Sequence, residues 1–292
     1  MAGQGTLILA LDYNNIQSKI SQVLGVGSSN YGYNQTVLSS QVSVNQQITA
    51  IQWQNLYNDL IRARGHQTGA NESTSITYPT TSLTIKEIDR AAYQAYVNTI
   101  DANRLSVPPS GQATLETYAT GTRTQQWNGT ITHTVVLTFT DGNTARSFFN
   151  AGGYIQLSAS ETPDVSNLKN NSWQTMLANM GFIRMTYNGT TNTGNNNGVT
   201  TSNVGYLSLT TTPQLAFVKL TEQPTYSSNQ YNVFVNTDAT SSIITFSIQF
   251  ADLSGGGVDE NVTGTLISLV QGYRPSGSNV SISTPSVSSS GP

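Results

Sequence analysis

The stretch that decides the fold runs from Thr130 to Ser160 and reads TITHTVVLTFTDGNTARSFFNAGGYIQLSAS. In its first half, apolar residues alternate with threonines, and this period of two predicts a strand with one buried and one hydroxyl-bearing face. Asp141-Gly142 favours a tight turn, and a second alternation begins at Ile155, so the stretch is predicted to form a β-hairpin. Gly152 and Gly153 predict a bulge or a close approach of another backbone. The apolar positions of the first half are Ile131, Val135, Leu137 and Phe139.

Upstream of this stretch, the spacing of apolar residues predicts three amphipathic helices before residue 105. Each predicted helix begins with an apolar residue, then a cap residue with a side-chain oxygen, and has a second apolar residue at the fourth helical position. Gly25 and Gly65 are the predicted ends of the first two helices. The apolar pairs are Leu11 with Ile16, Ile48 with Trp53, and Leu83 with Ile88, around the caps Asp12, Thr49 and Thr84. The predicted buried stripes are Ile16, Ile20, Val23 and Leu24; Trp53, Leu56, Tyr57, Leu60 and Ile61; and Ile85, Ile88, Ala92, Tyr96 and Ile100.

Downstream of residue 113, most of the chain is predicted to be strand. The alternation from Ile244 to Phe250 is the clearest, and a single helix is predicted between a cap at Ser172 and a stop at Gly181. Further strands are predicted at 206–212, 215–220, 231–235 and 263–270.

The fold class that follows is α+β, with an N-terminal region of three amphipathic helices followed by an antiparallel β-sandwich. A jelly-roll order is one arrangement that this pattern allows. The predicted boundaries are 1–107 for the helical region, 108–273 for the sandwich and 274–292 for an extended C-terminal arm. Serine and proline dominate the arm, and this composition predicts disorder in an isolated chain. The alternation of Val280 and Ile282 with polar residues predicts that the arm adds as a strand to an exposed sheet edge of a neighbouring subunit. The alternative is an arm folded back on its own sandwich.

Charge is scarce in this sequence, and the formal net charge is −3. Only 9% of residues are Asp, Glu, Lys or Arg, against about 25% in an ordinary soluble domain. An uncharged polar surface suits a protein that meets copies of itself, because like charges repel at symmetric contacts. A β-rich extracellular domain of another kind is the alternative.

The same composition argues against several other classes. There is no cysteine for disulfides or thiolate metal sites. No clustered basic stripe indicates nucleic-acid binding, and no apolar run is long enough for a membrane helix or a secretory signal.

Candidate catalytic chemistry is sparse, and the residues predict no catalytic, cofactor-binding or metal site. His133 lies on the apolar face of its strand, which indicates a hydrogen-bonded core histidine. His66 follows Arg62 and Arg64 at a helix end, where cations offset the helix dipole. A loop with Asp252, Asp259 and Glu260 could hold calcium, but its spacing matches no complete calcium loop and favours a solvated turn.

Aromatic residues leave a carbohydrate-binding interpretation open. Trp127 is the one tryptophan outside a predicted helix stripe, and an exposed tryptophan can stack on a sugar. Tyr31 and Tyr33 flank Gly32 in a long loop. They indicate either a contact patch or side chains folded back on their own helices.

Three segments carry a resemblance to a known class of protein. They are DYNNIQSKISQVLG at 12–25, QWQNLYNDLIRARGHQTG at 52–69 and ARSFFNAGGYIQLSAS at 145–160. Together they resemble virion structural proteins of tailed bacteriophages, especially those infecting cyanobacteria, which are commonly described as structural or tail-fibre-like. The resemblance covers about the first half of the chain and carries no site residue.

The resemblance implies that the chain is part of a phage particle and leaves the part unnamed. Because no catalytic constellation is found, the leading hypothesis is a non-enzymatic structural role in the tail, neck or head surface. Its expected partners are copies of this chain and other virion proteins, with no nucleic acid and no membrane. One alternative is a receptor-binding adhesin that recognises a host surface glycan. The second alternative is a polysaccharide depolymerase, which would need two facing carboxylates that the sequence does not single out.

Overall fold

The computed structural model describes residues 8–71, 75–81, 84–254 and 261–292. The chain forms two compact units, a helical unit and a β-sandwich unit. Neither unit is contiguous in sequence. The helical unit contains Arg146–Gly153 and Pro275–Ile282 as well as the first 114 residues, and the sandwich unit contains Leu115–Ala145, Tyr154–Arg274 and Ser283–Pro292.

The helical unit is built on three helices, α1 (Ala10–Leu24), α2 (Ala50–Thr68) and α3 (Glu87–Ala102). The stripes predicted for α1 and α2 are buried, apart from the partly exposed Tyr57. In α3 the predicted stripe is wrong in part, because Ile88 is 75% exposed. The buried positions there are Tyr93, Val97 and Ile100, which keep the helical spacing of four and three.

The three helices run parallel to one another. Near their N-terminal ends, the Trp53 ring meets Tyr13 at 5.3 Å and Tyr93 at 5.1 Å, edge to face. Near the opposite end, the Gln67 amide of α2 donates to the carbonyl of Ile100 in α3 at 2.8 Å. Parallel neighbours need connections that return along the bundle. The loop after α1 does this, since the Gln17 side chain donates to the carbonyl of Ser39.

The helix caps agree with the sequence only in α2. Thr49 Oγ1 accepts a hydrogen bond from the backbone N–H of Gln52, whose side chain accepts one from the N–H of Thr49, so this capping box is confirmed. Asp12 is not a cap but the third residue of α1, where it accepts from the N–H of Leu9. Asp89 does the same for Lys86 at the start of α3.

The predicted start of α3 and the predicted end of α2 are wrong. Thr84 is not the cap of α3, because the helix begins at Glu87 with Lys86 at the cap position, and Leu83 of the predicted apolar pair lies outside the described residues. Helix α2 does not end at Gly65 but runs on to Thr68, and Gly69 closes it with a φ of +78°.

The sandwich unit contains two antiparallel sheets in the described residues. One sheet has the order β1-β10-β3-β4-β5 and the other the order β11-β2-β9-β8-β7-β6. The strands are β1 (Ala113–Arg123), β2 (Gly129–Thr138), β3 (Tyr154–Thr162), β4 (Ile183–Met185), β5 (Thr190–Asn192), β6 (Val199–Thr201), β7 (Gln214–Leu220), β8 (Gln230–Thr237), β9 (Ile243–Asp252), β10 (Thr265–Pro275) and β11 (Ser286–Ser290).

The core of this unit lies between the two sheets. Strand β9 confirms its alternation, with Ile244, Phe246, Ile248 and Phe250 all buried. His133 of β2 is buried with its Nδ1 2.9 Å from Ser268 Oγ of β10, so the two sheets face each other at this point. The prediction of a hydrogen-bonded core histidine is therefore confirmed, and burial lowers the pKa of His133.

The predicted hairpin between residues 130 and 160 is wrong. Strands β2 and β3 lie in different sheets, and helix α4 (Gly142–Asn150) joins them. Asp141 begins this helix by accepting the backbone N–H of Thr144 at 2.7 Å, so the Asp-Gly pair is a helix start and not a turn. Gly142 is required for space, since a Cβ there would overlap the carbonyl oxygen of Thr240.

The close backbone approach predicted for the glycine pair is confirmed at Gly152. Its φ is +79°, and a Cβ would overlap the carbonyl oxygen of Ser106 in the same helical unit. Both features exclude other residues at this position.

The last helix, α5 (Leu168–Met180), is longer than predicted. Asn167 caps it by accepting the N–H of Asn170, so Ser172 lies inside the helix and not at its start. The strand predicted at 206–212 is also wrong, because Tyr206–Ser208 forms a short 3₁₀ turn. The buried side chains of α5 are the predicted Trp173, Met176, Leu177 and Met180.

Candidate assembly surface

The end of the sequence forms an edge strand of the sandwich unit. Strand β11 pairs antiparallel with β2, and Ser288 lies opposite Val136. Four of its five residues are serines with exposed side chains, and Val287 is only half-buried. Backbone hydrogen bonds therefore hold this strand with almost no help from apolar burial.

The residues before β11 are packed into the helical unit. Val280 is fully buried and Ile282 is 3% exposed. The Asn279 amide donates to Asn71 Oδ1 at 2.5 Å, and Gln35 donates to the carbonyl of Ser281 at 3.2 Å. Both contacts lie within the helical unit.

The last residues are therefore not the free extended arm that composition predicts. The two aliphatic residues are too few for a core of their own, but they bury themselves in a core built by other segments. The edge of β2 that faces away from β9 supplies backbone partners for the serines that follow.

The sheet next to β11 carries an outward face without formal charge. The outward positions of β2, β9 and β8 line up in register, for example Thr134 with Ser247 and Phe234. The hydroxyl face predicted for β2 is thus continued across two more strands. Its other members are Thr130, Thr132, Val136, Thr138, Ile243, Thr245, Gln249, Gln230 and Asn236, whereas Asn232 and Ala251 lie on the same side but are buried.

The aromatic candidates do not form a sugar-binding surface. Trp127 is 3% exposed, and its ring meets that of Trp173 at 5.7 Å. Tyr33 is buried with its hydroxyl donating to the carbonyl of Arg104 at 2.7 Å, and the guanidinium of Arg104 lies over the Tyr31 ring. Trp127 cannot stack on a sugar from this position, and the two tyrosines are folded back on their own unit.

His66 is not the surface cation that its sequence context indicates. It is 1% exposed, with Nε2 2.8 Å from the carbonyl oxygen of Ala151. Burial lowers its pKa to about 4, so the imidazole is neutral at physiological pH. Of its two neighbours, Arg62 lies 3.6 Å from the Asp59 carboxylate, and Arg64 donates to Gln67.

Of the three carboxylates in the predicted acidic loop, the structure describes only Asp252. Asp252 is 4% exposed, and its Oδ2 accepts from Lys169 Nζ at 2.7 Å. Asp259 and Glu260 lie outside the described residues. In the described ranges no three His, Asp or Glu side chains come together as metal ligands.

A shallow groove lies between α5 and the residues after β7. Among the described residues that line it, Glu222 is the one carboxylate. A hydrogen bond from Lys219 lowers the pKa of Glu222 and keeps it ionised. An ionised carboxylate cannot act as the general acid of a glycosidase, so this groove does not supply the carboxylate pair that the depolymerase alternative needs.

Glu161 is the most perturbed carboxyl of the sandwich unit in the described ranges. It is 3% exposed, and neither carboxyl oxygen has a hydrogen-bond partner there. Burial, with a smaller contribution from the nearby Asp164 carboxylate, raises its pKa to about 8. No sequence pattern indicated this, because Glu161 directly follows an ordinary strand alternation.

This carboxyl should make the stability of the sandwich unit depend on pH. The native carboxyl keeps its proton up to about pH 8, whereas in the unfolded chain it loses it near 4.5. The contribution of Glu161 to stability should therefore fall as pH rises through that window, by up to about 1.4 kcal/mol per pH unit. The lowered pKa of His133 in the same unit contributes a slope of opposite sign below pH 6.5. The slope of Glu161 is therefore read as the difference between the intact chain and Glu161→Gln in urea melts from pH 5 to 8.

The matched control is Glu222→Gln. Glu222 has a lowered pKa and titrates below that window, so its substitution should leave the slope in place. An unchanged slope in Glu161→Gln would contradict the assignment.

No helix among the described residues has the length and hydrophobicity to cross a bilayer. In comparisons with known proteins, no family model, curated protein or solved structure matches this chain.

Proposed function

We propose that this protein is a non-enzymatic structural component of a tailed-phage virion, in the tail, neck or head surface. In this role it acts by binding copies of itself and other virion proteins. The observation that carries the proposal is the combination of an uncharged outward sheet face with an edge strand held by its backbone. Such a surface can be covered by a protein partner without burying an unpaired charge.

Two features of the sequence support the same role. Charged residues make up 9% of the chain, so that few charges have to be neutralised when many copies lie side by side. The segments at 12–25, 52–69 and 145–160 resemble phage structural proteins. In this structure they form α1, most of α2, and α4 with the start of β3.

The test is whether the protein is part of purified particles. Phage particles are separated from free protein on a density gradient, and the peptides of this chain are quantified by mass spectrometry in each fraction. We expect the chain to sediment with the particles at a constant ratio to the major capsid protein after a high-salt wash. Recovery of the chain only in the free-protein fractions would contradict the proposal.

A further inference from the structure

We propose that β11 is an exchangeable strand, which in assembled copies pairs with β2 of a neighbouring copy of the same chain. The proposal rests on the proposed structural role and names the partner and the contact. It depends on three observations: the unequal anchoring of the last eighteen residues, the short segment between their two parts, and the chemistry of the β2 edge.

The two parts of this segment are held in different ways. Val280 and Ile282 are buried and belong to the helical unit, so removing them from their own chain would expose apolar surface. Residues 286–290 expose their serine side chains and give up little beyond backbone hydrogen bonds when they leave. Those bonds are made again in full on the β2 edge of another copy, because the copy has the same register partners.

The segment between the two parts is short. Ser283 and Thr284 are exposed, whereas Pro285, which precedes the first residue of β11, is buried. Three extended residues span at most about 10 Å, so exchange requires the neighbour's β2 edge to lie close by. In this structure the hinge brings β11 onto β2 of its own chain, and a short hinge of this kind is a place where identical elements exchange between close neighbours.

The β2 edge that receives the strand has no side chain that distinguishes one copy of the chain from another. Strand β2 offers backbone groups from Thr134 to Thr138, and its outward side chains there are two threonines flanking Val136. No charged side chain on either strand selects for one copy over another. Exchange of identical elements between protomers is a low-cost route to oligomers.

The absence of cysteine from the sequence makes a disulfide test clean. Ser288 and Val136 lie directly opposite each other, within the distance that a disulfide can bridge after small adjustments. The variants Ser288→Cys and Val136→Cys are produced together in one cell, and the oligomeric fraction is oxidised and run without reductant. If the strand crosses between copies, a band at twice the mass of one chain forms between the two variants.

The control pair is Thr134→Cys with Ser247→Cys, which face each other across β2 and β9. These strands belong to the interior of the sheet and should not exchange, so the two single variants should give no linked band. The double variant, with Ser288→Cys and Val136→Cys in one chain, shows whether β11 pairs with β2 of its own chain. A disulfide confined to single chains in the oligomeric fraction, with no linked band from the mixed variants, would overturn the proposal.

A truncation separates this inference from the proposed function. A chain lacking residues 284–292 keeps Val280 and Ile282 and should fold, as judged by its circular dichroism and melting curve. We expect the truncated chain to form no oligomers and to be absent from particles. Oligomers should form again when residues 284–292 are put back. If oligomers formed by the truncated chain match those of the intact one, the exchange is disproved, whereas co-sedimentation of the intact chain with particles still tests the structural role.

Discussion

Replacing Trp53 with alanine is expected to lower the free energy of unfolding of the helical unit by about 3–5 kcal/mol. Trp53 is 3% exposed and is the ring that joins α1 to α3, with Tyr13 on one side and Tyr93 on the other. Its removal leaves a cavity among three parallel helices that cannot close without moving them. The change is measured by urea unfolding followed by far-ultraviolet circular dichroism.

The control for this experiment is Ile51→Ala, two residues earlier in the same helix. Ile51 is 66% exposed, so its truncation should change stability by less than about 0.5 kcal/mol. Equal effects of the two substitutions would show that the Trp53 ring is not the centre of this core.

Replacing Lys169 with methionine should destabilise the sandwich unit by about 3–5 kcal/mol, because it leaves a buried carboxylate without its countercharge. Lys169 Nζ lies 2.7 Å from Asp252 Oδ2, and both side chains are 1% exposed. A second substitution, Asp252→Leu, should restore most of the stability, because two apolar side chains avoid the cost of burying charge.

A double-mutant cycle in urea measures this coupling. The partly exposed pair of Arg90 and Glu87 serves as the control, and Arg90→Met should cost less than about 1 kcal/mol. Additive effects of the Lys169 and Asp252 substitutions would contradict a direct ion pair.

The parts of the fold that followed from the sequence are those decided by local periodicity. The stripes of α1 and α2 and the alternation of β9 each need only one face to be apolar, and burial then places that face inward. The same holds for Trp173, Met176, Leu177 and Met180 in α5. In these elements the local pattern and the tertiary environment require the same residues.

The hairpin between β2 and β3 failed because one local signal has two structural meanings. An aspartate followed by glycine favours a two-residue turn, but an aspartate three residues before Thr144 also caps a helix. The choice depends on which strands pair, and β2 pairs with β9 and β11, which are more than 100 residues later. A sequence window of thirty residues does not contain that information.

The parallel arrangement of the helices could have been inferred more fully from the long loops. Antiparallel neighbours need a few residues between them, whereas parallel helices need a return path along the bundle. The segment from Val26 to Gln47 has that length, and Asn14 holds it against α1 through two hydrogen bonds to the backbone of Val42. The sequence does not show this path, because composition does not indicate which backbone groups receive partners.

The candidate assembly surface was predictable only in its chemistry. The scarcity of charge and the serine-rich last segment are visible in the sequence, and so is the alternation of Val280 and Ile282 with polar residues. The division of that segment between two units is not visible in the sequence. It depends on the burial of Val280 and Ile282 in the helical unit and on the pairing of β11 with β2. The buried Lys169–Asp252 pair was missed for a similar reason, since 83 residues separate its members.

The most direct test of the structural role is an electron cryo-microscopy map of the purified phage particle at a resolution that shows side chains. We expect density for the three parallel helices and the two-sheet sandwich in several symmetry-related copies. The outward face of β2, β9 and β8 or the β11 edge should contact a neighbouring subunit. A complete map in which every subunit is assigned and this chain is absent would contradict the structural role.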